Sequence, residues 1–217
     1  MDLGYHKLQF ISQGDTPAIQ LKNIISALDA GCKWIQLRFK NAGSRQVLDL
    51  ATLVKPLCSR YGAILIINDH VEVAKMVHAD GVHLGLQDLD VKLARNILGP
   101  DKIIGGTANT LSDVQQRIFE GCNYIGLGPL RFTPTKVKLS PVLGFKGYET
   151  IARELKKNSF NVPLYAIGGV TQEDVLRLME IGIYGIAVSG MITQHPNKQQ
   201  LIKEFNTILY ENVNNSR

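Results

Sequence analysis

The run WIQLRFK places Gln36, Arg38 and Lys40 at alternate positions, with Ile35, Leu37 and Phe39 between them. On an extended strand the two sets face opposite ways, apolar on one side and amide plus two cations on the other. Two cations on one inward face are costly unless they meet an anion. Further along stand Asn68-Asp69 and Asp88, carboxylates at the ends of two later apolar runs. If Asp69 and Asp88 converge, they offer what Mg²⁺ takes from protein, one or two carboxylates with positions left for waters and substrate phosphates. The stretch TPTK supplies Thr133, Thr135 and Lys136, hydroxyl donors and a point charge suited to phosphate. Gly168-Gly169 and Ser189-Gly190 follow the last two apolar runs. Backbone N–H groups in such loops also receive phosphate. The chemistry is that of two anions and a metal. No Cys/His or Ser/His set is placed to act as a nucleophile, so covalent catalysis is not suggested.

These residues need a frame to hold them. Runs rich in β-formers, KLQFI, KWIQLRF, AILII, GVHL, KIIGG, NYIGL, PLYAI and YGIAV, alternate with amphipathic segments such as AIQLKNIISALDAG and QQLIKEFNTILYEN. Several of the latter end in glycine (Gly31, Gly62, Gly99, Gly121, Gly182), as left-handed C-caps. Eight strands and eight helices in alternation, over 217 residues, point to an α/β fold, a single (β/α)₈ TIM barrel. An open doubly wound sheet would want a glycine fingerprint after its first strand, and KLQFISQGD has none. In a barrel the site lies at the C-terminal strand ends, where the candidate residues from Gln36 to Ser189-Gly190 fall.

Composition sets the remaining bounds. With 45% hydrophobic residues and no linker-like stretch, residues 1–217 read as one domain. The start, MDLGYHKLQF, lacks the basic and apolar regions of a signal peptide, and no run approaches a membrane span. Three cysteines without metal-like spacing fit reduced thiols in the cytoplasm. The net charge of +5 is scattered, which suits small anionic substrates and gives no nucleic-acid stripe. Assembly into a homo-oligomer is left open.

Plainer roles compete at several positions. Asp69 with Glu72 spells a D-x-x-E helix start, and Asp88 and Asp90 are both N-cap candidates. His83 reads as a core histidine, Arg131 and Lys138 as solvated loop charges. The glycines at Gly105-Gly106-Thr107 would let a ligand approach backbone, or simply make a turn. At Gly168-Gly169 a Cβ would hold an anion off.

Taken together, Q-L-R-x-K, N-D, A-D-G-V-H-L-G with Asp88 after it, Y-I-G-L-G-P, T-x-T-K and A-I-G-G-V resemble the thiamine phosphate synthase family, in order and across nearly the whole chain. The resemblance implies a Mg²⁺-dependent transferase. It would join 4-amino-5-hydroxymethyl-2-methylpyrimidine diphosphate to the thiazole phosphate, or its carboxylated form, releasing pyrophosphate. By the same carry-over, Arg38, Lys40, Asn68 and Lys136 would hold the diphosphate, and Asp69 and Asp88 the metal. Gln36, Thr133 and Thr135 would help place the substrates, and Thr107 would lie near the pyrimidine. Gly169, Ser189 and Gly190 would hold the thiazole phosphate. The chain departs from the family pattern at Leu86, which intervenes before Gln87, at Thr107 where many relatives have Ser, and at Ser189-Gly190, where an apolar-Ser pair is more usual. A thiazole tautomerase, a sugar-phosphate isomerase and a non-catalytic thiamine phosphate binder are the alternatives. The first two require a positioned acid/base residue.

Overall fold

The computed structural model describes residues 4–132 and 141–211. Its strands are β1 (Leu8–Ile11), β2 (Trp34–Leu37), β3 (Ile64–Asn68), β4 (Gly81–Leu84), β5 (Ile103–Ala108), β6 (Tyr124–Leu127), β7 (Leu164–Ala166) and β8 (Gly185–Val188). All pair in parallel with their sequence neighbours, and β8 returns to β1 through Leu8↔Ile186 and Phe10↔Val188, closing the barrel. Between strands run α1 (Pro17–Asp29), α2 (Ser44–Arg60), α3 (Val71–Met76), α4 (Val91–Leu98), α5 (Leu111–Glu120), α6 (Gly144–Lys157) and α7 (Asp174–Ile181). After β8 come α8 (Gly190–Gln194) and α9 (Lys198–Glu211). The expected (β/α)₈ architecture is thus present, with one helix more than anticipated among the described residues. At five residues, α8 is too short to carry a helical period.

The strand alternation sorts the side chains into two cores. Ile35, Leu37, Leu65, Ile67, Val82 and Ile104 face outward onto the helices. Trp34, Ile66, Tyr124, Tyr165 and Ala187 fill the inside of the barrel. Trp34 meets Tyr124 and Tyr165 edge-on, with ring centroids 5.0 and 5.2 Å away. This aromatic layer occupies the N-terminal half, since Tyr165 donates its hydroxyl to the His6 carbonyl and Tyr184 to that of Tyr5. Two residues beyond Trp34, at Gln36 and toward the C-terminal ends, the lining becomes polar.

Gly105 and Gly106 lie within β5 rather than in a turn. A Cβ on Gly105 would fall inside the Tyr124 ring, and one on Gly106 would stand 2.7 Å from Arg117 Cδ. Packing, not an approaching ligand, accounts for both. The five glycines expected at helix ends all have positive φ, but Gly99 at ψ 170° is not a left-handed cap. No helix among the described residues is long and apolar enough to cross a membrane.

Candidate functional site at the C-terminal mouth

Gln36 and Asn68 meet first. Gln36 is buried on the inner face of β2, and its Nε2 donates to Asn68 Oδ1 at 2.7 Å. Just past β2, the backbone of Arg38 is pinned from two sides. Its N–H donates to Ser12 Oγ at 2.9 Å, and its carbonyl accepts from Gln20 Nε2 at 3.0 Å. Arg38, Lys40, Asn68 and Asp69 then line one cavity of about 190 Å³, together with Phe39, Asn41, Ala42 and His70. The alternation read in WIQLRFK therefore carries both cations to a shared opening.

Asp69 takes a left-handed backbone, φ +64°, uncommon outside glycine though less so for Asp. The N-cap of α3 is His70, with no side-chain cap bond, so the D-x-x-E start is not formed and Asp69 is not a cap. Its carboxyl faces Asp88 instead. Packing around the carboxyl, then the hydrogen bond and the charge of Asp88, push the Asp69 pKa up to about 7 against the opposing pull of Arg38 and Asn68. The residue as a whole stays open to solvent at the mouth. Two carboxylates this close share either a proton or a cation. Asp88 is no cap either, because Asp90 caps α4 by accepting from Lys92 N and Leu93 N. Asp88 Oδ2 accepts from Gly85 N at 2.6 Å, and a Cβ on Gly85 would stand 2.7 Å from that oxygen. Among the described residues no cluster of three or more His, Cys, Asp or Glu side chains gathers, so this pair is a carboxylate pair alone. That donor set fits a hard divalent ion that keeps most of its ligands as water or phosphate oxygen.

Thr107 is the fifth residue of β5, nearly buried, and its Oγ1 lies 3.0 Å from His83 Nε2. His83 Nδ1 lies 3.0 Å from the Tyr124 hydroxyl, which also accepts from Gln9 Nε2 at 3.2 Å. His83 is a core histidine as expected, yet it joins the aromatic layer to Thr107 at the mouth.

One contributor escaped sequence reasoning. Arg117 of α5 is 4% exposed, and its Nη2 donates to Gly85 O at 2.7 Å while Nε donates to Thr107 O at 3.2 Å. Nη1 pairs with Glu120 at 2.7 Å. One guanidinium thus holds the ends of β4 and β5, including the glycine that binds Asp88. Its only signal in the sequence is a charge three residues after Val114, on the buried face of α5.

On the far side of the mouth, Gly168 and Gly169 are consecutive left-handed residues, φ +77° and +72°. A Cβ on Gly169 would stand 2.8 Å from Arg131 Cβ, so the glycine is required by Arg131 whether or not an anion binds. Arg131 is exposed, as expected of a loop charge, but it is not unpartnered, since it forms an ion pair with the buried Asp174 carboxylate. Ser189 Oγ donates to Gln13 Oε1 at 3.1 Å, and Gly190 opens α8, where a Cβ would meet nothing closer than 3.8 Å. Thr133, Thr135, Lys136 and Lys138 lie outside the described residues.

Comparison with known proteins identifies the family and agrees with the fold. The family model described as "Thiamine monophosphate synthase" matches residues 8–192. A thiamine-phosphate synthase of Flavobacterium johnsoniae is 56% identical over 209 residues, covering 96% of this chain and 99% of the relative. One of Flavobacterium psychrophilum is 57% identical over 202 residues, covering 93% and 98%. Among solved structures, a thiamine phosphate pyrophosphorylase from Pyrococcus furiosus superposes with a TM-score of 0.81 at 28% identity, covering 94% of this chain and 96% of that one. A barrel closed in this order, a mouth that gathers Gln36, Arg38, Asn68, Asp69 and Asp88, and relatives of this identity over almost their full length place the chain in the thiamine monophosphate synthase family of transferases.

Proposed function

We propose that the chain joins 4-amino-5-hydroxymethyl-2-methylpyrimidine diphosphate to 4-methyl-5-(2-phosphoethyl)thiazole, or to its carboxylated form, giving thiamine phosphate and pyrophosphate. One observation carries the reading. Arg38 and Lys40 line the same cavity as Asn68 and Asp69, and the Asp69 carboxyl is paired with that of Asp88. That combination suits a leaving-group site, with cations beside a carboxylate pair that can hold a metal, whereas a sugar-phosphate isomerase would need a positioned acid/base residue.

The residue types suit the reaction. The bond from the pyrimidine methylene to the diphosphate oxygen breaks with its electron pair, leaving a carbocation stabilised by the electron-rich aminopyrimidine ring. The thiazole nitrogen closes on it with a lone pair and carries no proton, so no strong base is called for. Negative charge grows on the departing pyrophosphate, and fixed cations in a shielded site are the effective answer to it. Arg38, Lys40, Asn68 and Lys136 take that task. Mg²⁺, held by Asp69 and Asp88, would add positive charge at the same place. Gln36, fixed by its bond to Asn68, together with Thr107, Thr133 and Thr135, places the substrates. Gly169, Ser189 and Gly190 receive the thiazole phosphate.

The test is a product assay with both substrates, with and without Mg²⁺, read as thiochrome fluorescence after oxidation. Mg²⁺-dependent thiamine phosphate with stoichiometric pyrophosphate is the expected result. Folded protein that binds the thiazole phosphate yet makes no product would favour a tautomerase-like enzyme or a non-catalytic binder.

A further inference from the structure

Arg131 stands two residues before the TPTK run and ties that loop to the one after β7. Its Nη2 donates to Asp174 Oδ1 at 2.7 Å, and its Nη1 donates both to Asp174 Oδ2 and, at 3.0 Å, to Gly169 O. The Asp174 carboxylate is only 5% exposed. It also accepts from the N–H and the hydroxyl of Thr171, at 2.7 and 2.9 Å. One fork and one carboxylate thereby fasten the turn at Gly169 and at Thr171. Backbone bonds reinforce the join, from Arg131 N to Gly168 O and from Leu130 N to Ile167 O, each 3.0 Å. The fit is close enough to exclude a side chain at Gly169.

We infer that Arg131, acting with Asp174, is a positioning residue that sets the Gly168–Gly169 turn for the phosphate of the thiazole substrate. The inference rests on the function proposed above. Asp174 neutralises the guanidinium, so Arg131 acts through the shape of the turn rather than as a charge on the phosphate. Geometry, not charge alone, requires arginine here. A lysine could pair with Asp174, but one ammonium cannot match the fork that spans Asp174 and Gly169 O together. The backbone bonds of Leu130 and Arg131 do not involve the arginine side chain. The start of the TPTK loop, and with it the pyrimidine diphosphate, should therefore be affected much less.

The experiment compares wild type, Arg131→Lys, Arg131→Met and Asp174→Asn. It measures KM for each substrate, the Kd for thiazole phosphate by calorimetry, and the melting temperature. Arg131→Met should raise KM and Kd for the thiazole phosphate roughly ten- to a hundredfold, with KM for the pyrimidine diphosphate within about twofold, because small misplacements of a binding loop are costly. Arg131→Lys should recover most of the melting temperature but little of the binding. Thiazole phosphate bound by Arg131→Lys and Arg131→Met as by wild type would overturn the inference, as would equal rises in both KM values. If wild type binds thiazole phosphate without forming product, the synthase reading fails alone, and the calorimetric comparison still decides the role of Arg131. Wild type that binds no thiazole phosphate overturns both.

Discussion

Asp69 and Asp88 face each other at the mouth, and the burial of the Asp69 carboxyl, reinforced by Asp88, has a consequence that can be measured without substrate. The Asp69 carboxyl binds its proton up to about pH 7 in the folded protein, against an ordinary value of 3.8. Between those limits the folded chain holds a proton that the unfolded chain has released, so stability falls as pH rises through that window. Below it both states are protonated and the penalty vanishes. Asp69→Asn removes the effect. In chelator-treated protein the melting temperature of wild type should therefore drop, relative to Asp69→Asn, as pH is raised from about 4 to 7. Added Mg²⁺ should restore wild type above that range and leave the variant unmoved. Parallel melting curves across the whole range would show that the two carboxylates are not coupled, and the metal assignment would lose its support.

At the scale of elements, α5 holds two strand ends through a single side chain. Arg117 reaches Gly85 O on one side and Thr107 O on the other, and Glu120 balances its charge. Arg117→Met takes the opposing charge from a poorly solvated Glu120, leaving it only the bond from Gln116 Nε2 at 2.6 Å, and removing one partner of a buried pair typically costs about 3–5 kcal/mol. Denaturant unfolding should show that loss, and Arg117→Met/Glu120→Gln should recover part of it. A loss below about 0.5 kcal/mol would mean water replaces the guanidinium easily and α5 does not brace the mouth. This element also shows what the sequence could and could not disclose. The strands were legible because alternation is a local property, and Gln36, Arg38 and Lys40 followed from it directly. The site's braces were not. Arg131 meets Asp174 across 43 positions and Arg117 meets Gly85 across 32, and no local pattern carries such a pairing. Asp69 failed as a cap for a related reason. D-x-x-E describes a helix start, but the positive φ of Asp69 and its pairing with Asp88 depend on where β4 ends.

Across the whole molecule the barrel interior divides its labour along its axis. Toward the N-terminal end it is an aromatic plug of Trp34, Tyr124 and Tyr165 joined to the segment before β1. Toward the C-terminal end it is polar, with Gln36, Asn68 and Thr107 facing the opening. Gln9, Tyr124 and His83 are the seam between the halves. A barrel built this way can separate stability from turnover, because the plug touches none of the proposed substrate positions. Tyr165→Phe tests the separation. It keeps the ring and its edge-on contact with Trp34, and removes only the hydroxyl that donates to His6 O at 2.7 Å. The His6 carbonyl borders solvent and can turn to water, so the expected cost is that of one ordinary hydrogen bond, about 0.5–1.5 kcal/mol. Thiamine phosphate formation, measured well below the melting temperature, should keep its kcat and both KM values. A fall in kcat without a matching loss of stability would mean that the plug transmits strain to the mouth through Tyr124 and His83. The two halves of the barrel would then be one mechanical unit rather than two.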